Sequence, residues 1–571
     1  MRNHRSVGPL TFSVALAAAW AAGCNRVDAM SHSDTVSDST SNASADLVVT
    51  GGRVWTGNPD DPWAEAVAVR GERIEAVGTR AEIEALIGDD TQVVDASGGL
   101  VTPGFIDAHV HFLDGGERLT SVQLRDASTP EEFIRRIAEY AKTLPAGAWI
   151  QGGDWDHTLW GGELPRRDWI DSVTADNPVF VYRLDGHMAL ANSAALEAAG
   201  IDASTPDVEG GTIVRYDDGS PTGLLKDNAT DPVWPAIPAP PASVQDGFLD
   251  AAMDYVAAQG VTSVHNMGTW GDYAVFERAH DAGRMKTRIL ACTPLAQWQR
   301  LRDAVAAGGR GDDWLRIGCL KGFVDGSLGS HTAAFFEPFT DAPEDTGLLV
   351  NDPDDLYRWT YGADGAGLQV VVHAIGDRAN RIQLDIYERV AELHGPRDRR
   401  FRIEHAQHLA PEDIPRFAEL GVIASMQPYH AIDDGRWAEK VIGHERAKTT
   451  YAFRSLLDAG ATLAFGSDWF VAPPTPLEGI YAAVTRRTLD GANPGGWFPE
   501  QKITVEQALT AYTRDAAYAG FAEDEVGTLE PGKLADLVVV DRDITTIPPA
   551  EIADARVRAT VVGGKVVYAA D

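Results

Sequence analysis

His109 and His111, in the run DAHVHF, are the first residues in the chain that could do chemistry. In an extended strand, residues two apart project from one face. Neutral imidazoles so placed are the commonest ligands of zinc-like metals. Four more side chains with chemistry of their own sit in or just after other apolar runs: Lys321 in LRIGCLKGF, His373 in LQVVVHAIGD, His405 in FRIEHAQHL and Asp468 in ATLAFGSDW. Lys321 is the odd one among them. An ammonium ion is costly to bury without a partner, and the chain has only nine lysines.

The elements that must position these residues form a repeating series. Eight short apolar segments alternate with helical stretches. One begins at Phe105, and the others cover 261–268, 288–295, 315–323, 368–377, 401–409, 421–430 and 461–469. Eight such units predict an α/β fold, a TIM-type (β/α)8 barrel over 105–524. The six residues then fall on strands one, four, five, six and eight, near the C-terminal ends where barrel enzymes keep their sites. The gap from the first strand to the second is too long for one crossover, and it contains strands and a helix of its own. Residues 115–245 read as an inserted α/β subdomain overhanging that face. Short alternating strands with Gly-rich turns occur at both ends, 46–104 and 525–571, and predict one composite β-sandwich.

Together DAHVHF, LKGFVDGSLGS, VVHAIGD, IEHAQH and FGSDW resemble the metal-dependent amidohydrolase superfamily. The resemblance is greatest to amidohydrolase family 3, the YtcJ-like group that includes N-substituted formamide deformylases. It runs from about residue 45 to the end, and GTLEPGKLADLVVVDRD resembles that superfamily's sandwich segment. The resemblance implies two divalent ions, zinc being the first expectation, with Mn, Fe, Co or Ni also compatible with N/O ligands. His109, His111 and Asp468 would hold one ion, and His373 and His405 the other. Lys321 would be carboxylated, its carbamate bridging both. The implied activity is hydrolysis of a C–N amide bond (N-acyl, N-formyl or cyclic) by metal-activated hydroxide. Asp468 would act as general base and then general acid. The same site would also serve ester, lactone or phosphotriester hydrolysis. The rival from another class is an envelope lipoprotein that binds a ligand without turning it over. Neither a P-loop nor a GxGxxG between strand and helix is present.

Other residues are read more weakly. His187 in RLDGHMAL and His430, at the end of strand seven, are candidate substrate contacts. Trp155 and Trp160 in GGDWDHTLWGG offer an apolar wall, or else pack within the insert. His265 and His408 read as supporting or packed residues, and Asp325 as a turn former beside Gly326. Cys292 and Cys319 sit in apolar strands and read first as buried free thiols, with a disulfide possible in an oxidising compartment.

The N-terminus carries Arg2 and Arg5, an apolar run too short to span a bilayer, and AAGC ending at Cys24. Residues 1–24 read as a signal peptide, and AAGC resembles a lipoprotein lipobox with Cys24 as the lipidated residue. Residues 25–45 read as a polar tether. The expected location is the cell envelope, lipid-anchored on the periplasmic or outer-membrane side. The formal net charge of −35 disfavours nucleic acid and anionic membrane as partners. A small-molecule substrate is expected, and a homo-oligomer is compatible with the sequence.

Overall fold

A computed structural model describes residues 44–238 and 240–570. The expected leader, Cys24 and nearly all of the tether lie outside the described residues. Folded structure begins one residue earlier than the sequence suggests. Ala45, read as the end of the tether, is buried and its N–H donates to the Leu86 carbonyl.

The eight predicted segments become eight parallel strands in sequential order. They are β1 (Phe105–Val110), β2 (Val261–Met267), β3 (Arg288–Pro294), β4 (Leu315–Phe323), β5 (Gln369–Ala374), β6 (Arg402–His405), β7 (Ile423–Met426) and β8 (Leu463–Phe465). Both faces of these strands are covered, which is why they read as apolar runs rather than as strict alternations. Between β8 and β1 the barrel closes above the strand ends, where the Asp468 N–H donates to the His109 carbonyl (2.7 Å) and the His111 N–H to the Trp469 carbonyl (2.6 Å). β4 carries a bulge. Gly318, at φ +139°, has no partner in β3, and the register resumes at Cys292 opposite Cys319. Those two cysteines form a disulfide, with Cα atoms 4.5 Å apart, so the free-thiol reading is wrong. Register decides this pairing: the bulge brings the two residues opposite each other, and a linear sequence does not reveal it.

Two further sheets hold strands from both ends of the chain. In the larger, Leu100–Pro103 lies between Arg53–Trp55 and Leu537–Val540, and Leu537–Val540 pairs in turn with Val557–Val562. Leu47, Val49 and Val67 of the smaller sheet pack against Val101, Leu537, Val539 and Val561 of the larger.

Between β1 and β2 lies a six-stranded mixed sheet running from Val122–Gln123 to Pro221–Asp227. It is tied to the barrel loops at the C-terminal face. Ser327 and Ser330, after β4, donate to the Asp185 carboxylate at 2.5 and 3.2 Å, and Lys226 Nζ donates to the Ser330 carbonyl at 2.9 Å. Arg125 reaches the Phe470 carbonyl after β8. Among the described residues no helix is long and apolar enough to cross a membrane.

Candidate metal centre and active site

β1 presents Asp107 and His109 on one face by period-two alternation, and His111 follows directly after the strand. His109 is fully buried. Its Nδ1 lies 2.6 Å from Glu404 Oε2 on β6, and its Nε2 lies 3.3 Å from Asp468 Oδ1 and 3.2 Å from Lys321 Nζ. His111 Nε2 lies 3.5 Å from the same Asp468 oxygen. Two residues reach the site through left-handed backbone: His405, the last residue of β6, at φ +73°, and Asp468, in the loop after β8, at φ +61°. Such conformations are uncommon outside glycine and cluster at functional sites. They also explain how His405, next to inward-facing Glu404, brings its ring within 4.9 Å of the His109 ring centroid.

Three of the imidazoles are tied at one nitrogen to a group that accepts. His109 Nδ1 meets the Glu404 carboxylate, His405 Nδ1 meets Gln427 Oε1 (2.8 Å), and His373 Nε2 meets the Gly326 carbonyl (3.0 Å). An oxygen acceptor fixes the proton on that nitrogen and leaves the lone pair on the other. Burial, reinforced by neighbouring cations and imidazoles, holds all three rings well below the ordinary histidine pKa, so they are neutral. Those are the conditions a metal ligand needs. His109, His111 and Asp468 bring ligand atoms within 4.8 Å of one another, as do His405, His430 and Asp468. His430 Nε2 is buried and has no hydrogen-bond partner among the described residues. This donor set fits divalent metal.

His373 approaches the cluster less closely: its ring lies 4.5 Å from that of His405, but it belongs to neither triad. Lys321 is buried beside His109 and forms no ion pair with a carboxylate among the described residues. Burial lowers its pKa to about 8. For Asp468, burial raises the pKa, but His109 and His111 outweigh it and hold the carboxyl below its usual range.

The cluster lies at the base of a cleft of about 310 Å³. Its wall includes Phe180 and Tyr182 from the insert, Trp234, and Phe470 after β8. Tyr182 and Trp234 stack with centroids 5.8 Å apart, and the Arg118 guanidinium lies 3.4 Å over the Phe470 ring. A smaller polar chamber adjoins it, lined by Arg183, Asp185, His187, His430, Asp434 and Arg436 among others.

Residues 92–568 match the family described as "Amidohydrolase family". The chain belongs to the amidohydrolase family. Among its relatives, this amidohydrolase is 43% identical to Protein LONG AFTER FAR-RED 3 of Arabidopsis thaliana, covering 92% of each chain. It is 30% identical to the N-substituted formamide deformylase of Arthrobacter pascens, over 92% of this chain and 98% of that one. Its fold is similar to the crystal structure of an uncharacterized metal-dependent hydrolase from Pyrococcus horikoshii OT3. That match has a TM-score of 0.72 and 27% identity, and covers 88% of this chain and 99% of the other.

Several sequence expectations for this amidohydrolase need correction. Trp155 is not at the cleft. It is fully buried in the insert core, its Nε1–H donating to the Val181 carbonyl and its ring edge-on to Phe133. Trp160 packs against the same core, and the aromatic wall is made by other residues. His430 lies not on β7, which ends at Met426, but in the short helix Pro428–Asp434. Asp325 is more than a turn former. Fully buried, it accepts from the N–H groups of Ala334, Ile375 and Gly376 and so pins the loop after β5. His187 lines both cavities and bonds Asp227 through Nδ1 at 2.7 Å. His408 is held by Thr450 away from the cluster. His265 contacts Arg402, which also bonds Glu404.

Glu404, Asp107 and Gln427 were not singled out from the sequence. Asp107 accepts from the Ser467 hydroxyl (2.5 Å) and backbone (2.8 Å), joining β1 to the Asp468 loop. The signal for Asp107 was available: it is two residues before His109 on the same strand face. Glu404 could have been found as the residue two after Arg402 on β6.

Proposed function

We propose that this amidohydrolase hydrolyses the C–N bond of an amide, N-acyl, N-formyl or cyclic, with two divalent metal ions. The observation that carries this is the buried cluster itself. Neutral imidazoles with one nitrogen tied off surround an ionised Asp468 beside a lysine amine that forms no ion pair with a carboxylate among the described residues. Similarity to a protein named N-substituted formamide deformylase supports the C–N choice. His109, His111 and Asp468 would hold one ion, and His373 and His405 the other, with His430 close enough to join. Zinc suits this donor set, as do other transition metals. Bound there, the ions supply Lewis acidity and lower the pKa of a water molecule. Lys321, its pKa lowered by burial, would add through Nζ to CO2 and lose one proton, and the resulting carbamate would be a further anionic ligand for the metal.

Asp468, already ionised, accepts a proton from the attacking water and returns it to the leaving nitrogen. His187, aligned by Asp227, offers its Nε2 side to the substrate carbonyl. The aromatic wall takes an apolar substituent and excludes water from the scissile bond.

The test is a hydrolysis panel of N-acyl and N-formyl amines, esters, lactones and phosphotriesters on metal-replete protein, with metal analysis. About two ions per chain and turnover of amides are expected. For Asp468→Asn, kcat falls by roughly 10³-fold. Wild-type turnover in that variant with intact metal content refutes the role given to Asp468. A metal-replete enzyme that turns over esters but no amide refutes the C–N assignment.

A further inference from the structure

The N-terminal face of the barrel, opposite the metal cluster, has cavities of its own. Two adjoining clefts of about 220 and 350 Å³ share Leu290, Arg310, Arg316, Gly520 and Phe521. The chain carries 84 acidic and 49 basic residues, so arginines without counter-ions are not expected there. Yet among the described residues neither Arg310 nor Arg316 forms an ion pair with a carboxylate.

The two side chains are held by carbonyl oxygens instead. Arg310 Nη2 donates to the Gly367 carbonyl (2.7 Å), and Arg316 Nη2 donates to those of Gly520 (2.7 Å) and Phe521 (3.0 Å). Among the described residues Nε of both, and Nη1 of Arg316, have no hydrogen-bond partner. The carboxylates around the clefts are already engaged. Asp313 and Glu525 pair with Arg73, Asp312 with His280, and Asp398 with Arg400. Arg397 and Arg399 line the larger cleft but pair with Asp364. The bulge in β4 makes room for Arg310, because a Cβ on Gly318 would overlap its Nη1. Burial pulls both arginines below the usual guanidinium pKa, with Arg397 adding to it at Arg310 and Arg310 adding to it at Arg316, where Asp313, Glu523 and Glu525 act in the opposite direction. Beside them Phe521 is 40% exposed, with Arg400 over its ring at 4.1 Å.

We propose that these clefts bind a phosphate monoester, its dianion between Arg310 and Arg316 and its apolar or aromatic part on Phe521. Two guanidiniums with spare donors match a phosphate in charge and in hydrogen-bond geometry. The site is separate from the metal cluster and does not depend on the reaction assigned there.

Calorimetric titration of the metal-replete full chain with phenyl phosphate tests this. Phosphates also have affinity for metal centres, so the comparison is between wild type and the Arg310→Gln/Arg316→Gln variant. A binding class present in the first and absent in the second is expected, with amide turnover unchanged. Arg310→Gln alone should weaken that class about tenfold. Inorganic phosphate should bind more weakly than phenyl phosphate, and benzoate, with a single charge, more weakly still. Identical isotherms for wild type and Arg310→Gln overturn the proposal, as does benzoate binding more tightly than phenyl phosphate.

Discussion

His109 illustrates how a single ligand is set by residues that never touch a metal. Its Nδ1 faces Glu404, which is fully buried and in turn bonds Arg402, and Arg402 reaches the Ala108 carbonyl, Ser425 and His265. The carboxylate fixes the imidazole tautomer and raises its basicity as a ligand. Glu404→Gln keeps the shape but removes the charge. Metal affinity, read by chelator competition, is expected to fall about 10–100-fold. The same change leaves the buried Arg402 without its anion, so thermal stability should fall as well. Unchanged metal affinity with a lowered Tm would assign Glu404 to stability alone. At this scale the sequence revealed the ring nitrogens but not their tautomers. The identity of a histidine can be read directly, whereas the group behind it comes from another strand.

The strands themselves were the most legible elements, because each is buried on both faces and reads as an apolar run bounded by Gly or polar turns. The closure of the barrel was not. It depends on Gly466, where a Cβ would lie 2.6 Å from the His109 backbone nitrogen and 2.8 Å from Asp107 Oδ1. Only hydrogen at that position lets the loop after β8 lie against β1 and carry Asp468 to the histidines. Gly466→Ala should push the loop after β8 away from β1, lowering Tm and reducing both activity and metal content, since Asp468 is drawn away from His109 and His111. A destabilisation of about 2 kcal/mol or more is expected from overpacking. Wild-type Tm and turnover in Gly466→Ala would show that the loop adjusts freely. The end of β7 was misjudged for a related reason. Gln427 and Pro428 turn the chain into a helix, and an apolar run gives no sign of where the turn occurs.

On the scale of the whole molecule, the barrel and the sandwich are joined by a buried, two-pronged ion pair. Arg288, at the start of β3, donates from Nε and Nη2 to the two oxygens of Asp536 at 2.7 and 2.9 Å. Asp536 immediately precedes the strand Leu537–Val540 and also accepts from the Gly563 N–H. Arg288→Ala leaves that carboxylate buried and uncompensated, for a cost of about 3–5 kcal/mol. Denaturant unfolding monitored by circular dichroism should show the loss. A variant within about 0.5 kcal/mol of wild type would mean that water or a neighbour replaces the guanidinium.

The sequence by itself determined the eight strands, the placement of six reactive side chains in or just after them, and the short alternating strands at both ends of the chain. These follow from periodicity and composition, which are local properties. Tertiary structure alone decided what those side chains meet: the disulfide across β3 and β4, the Asp107 clasp to Ser467, the Glu404 partner of His109, and the burial of Trp155 where a cleft wall was expected. Each is a contact between residues distant in the chain. It is set by register and by the way the insert packs over the barrel, and no short stretch of sequence encodes either.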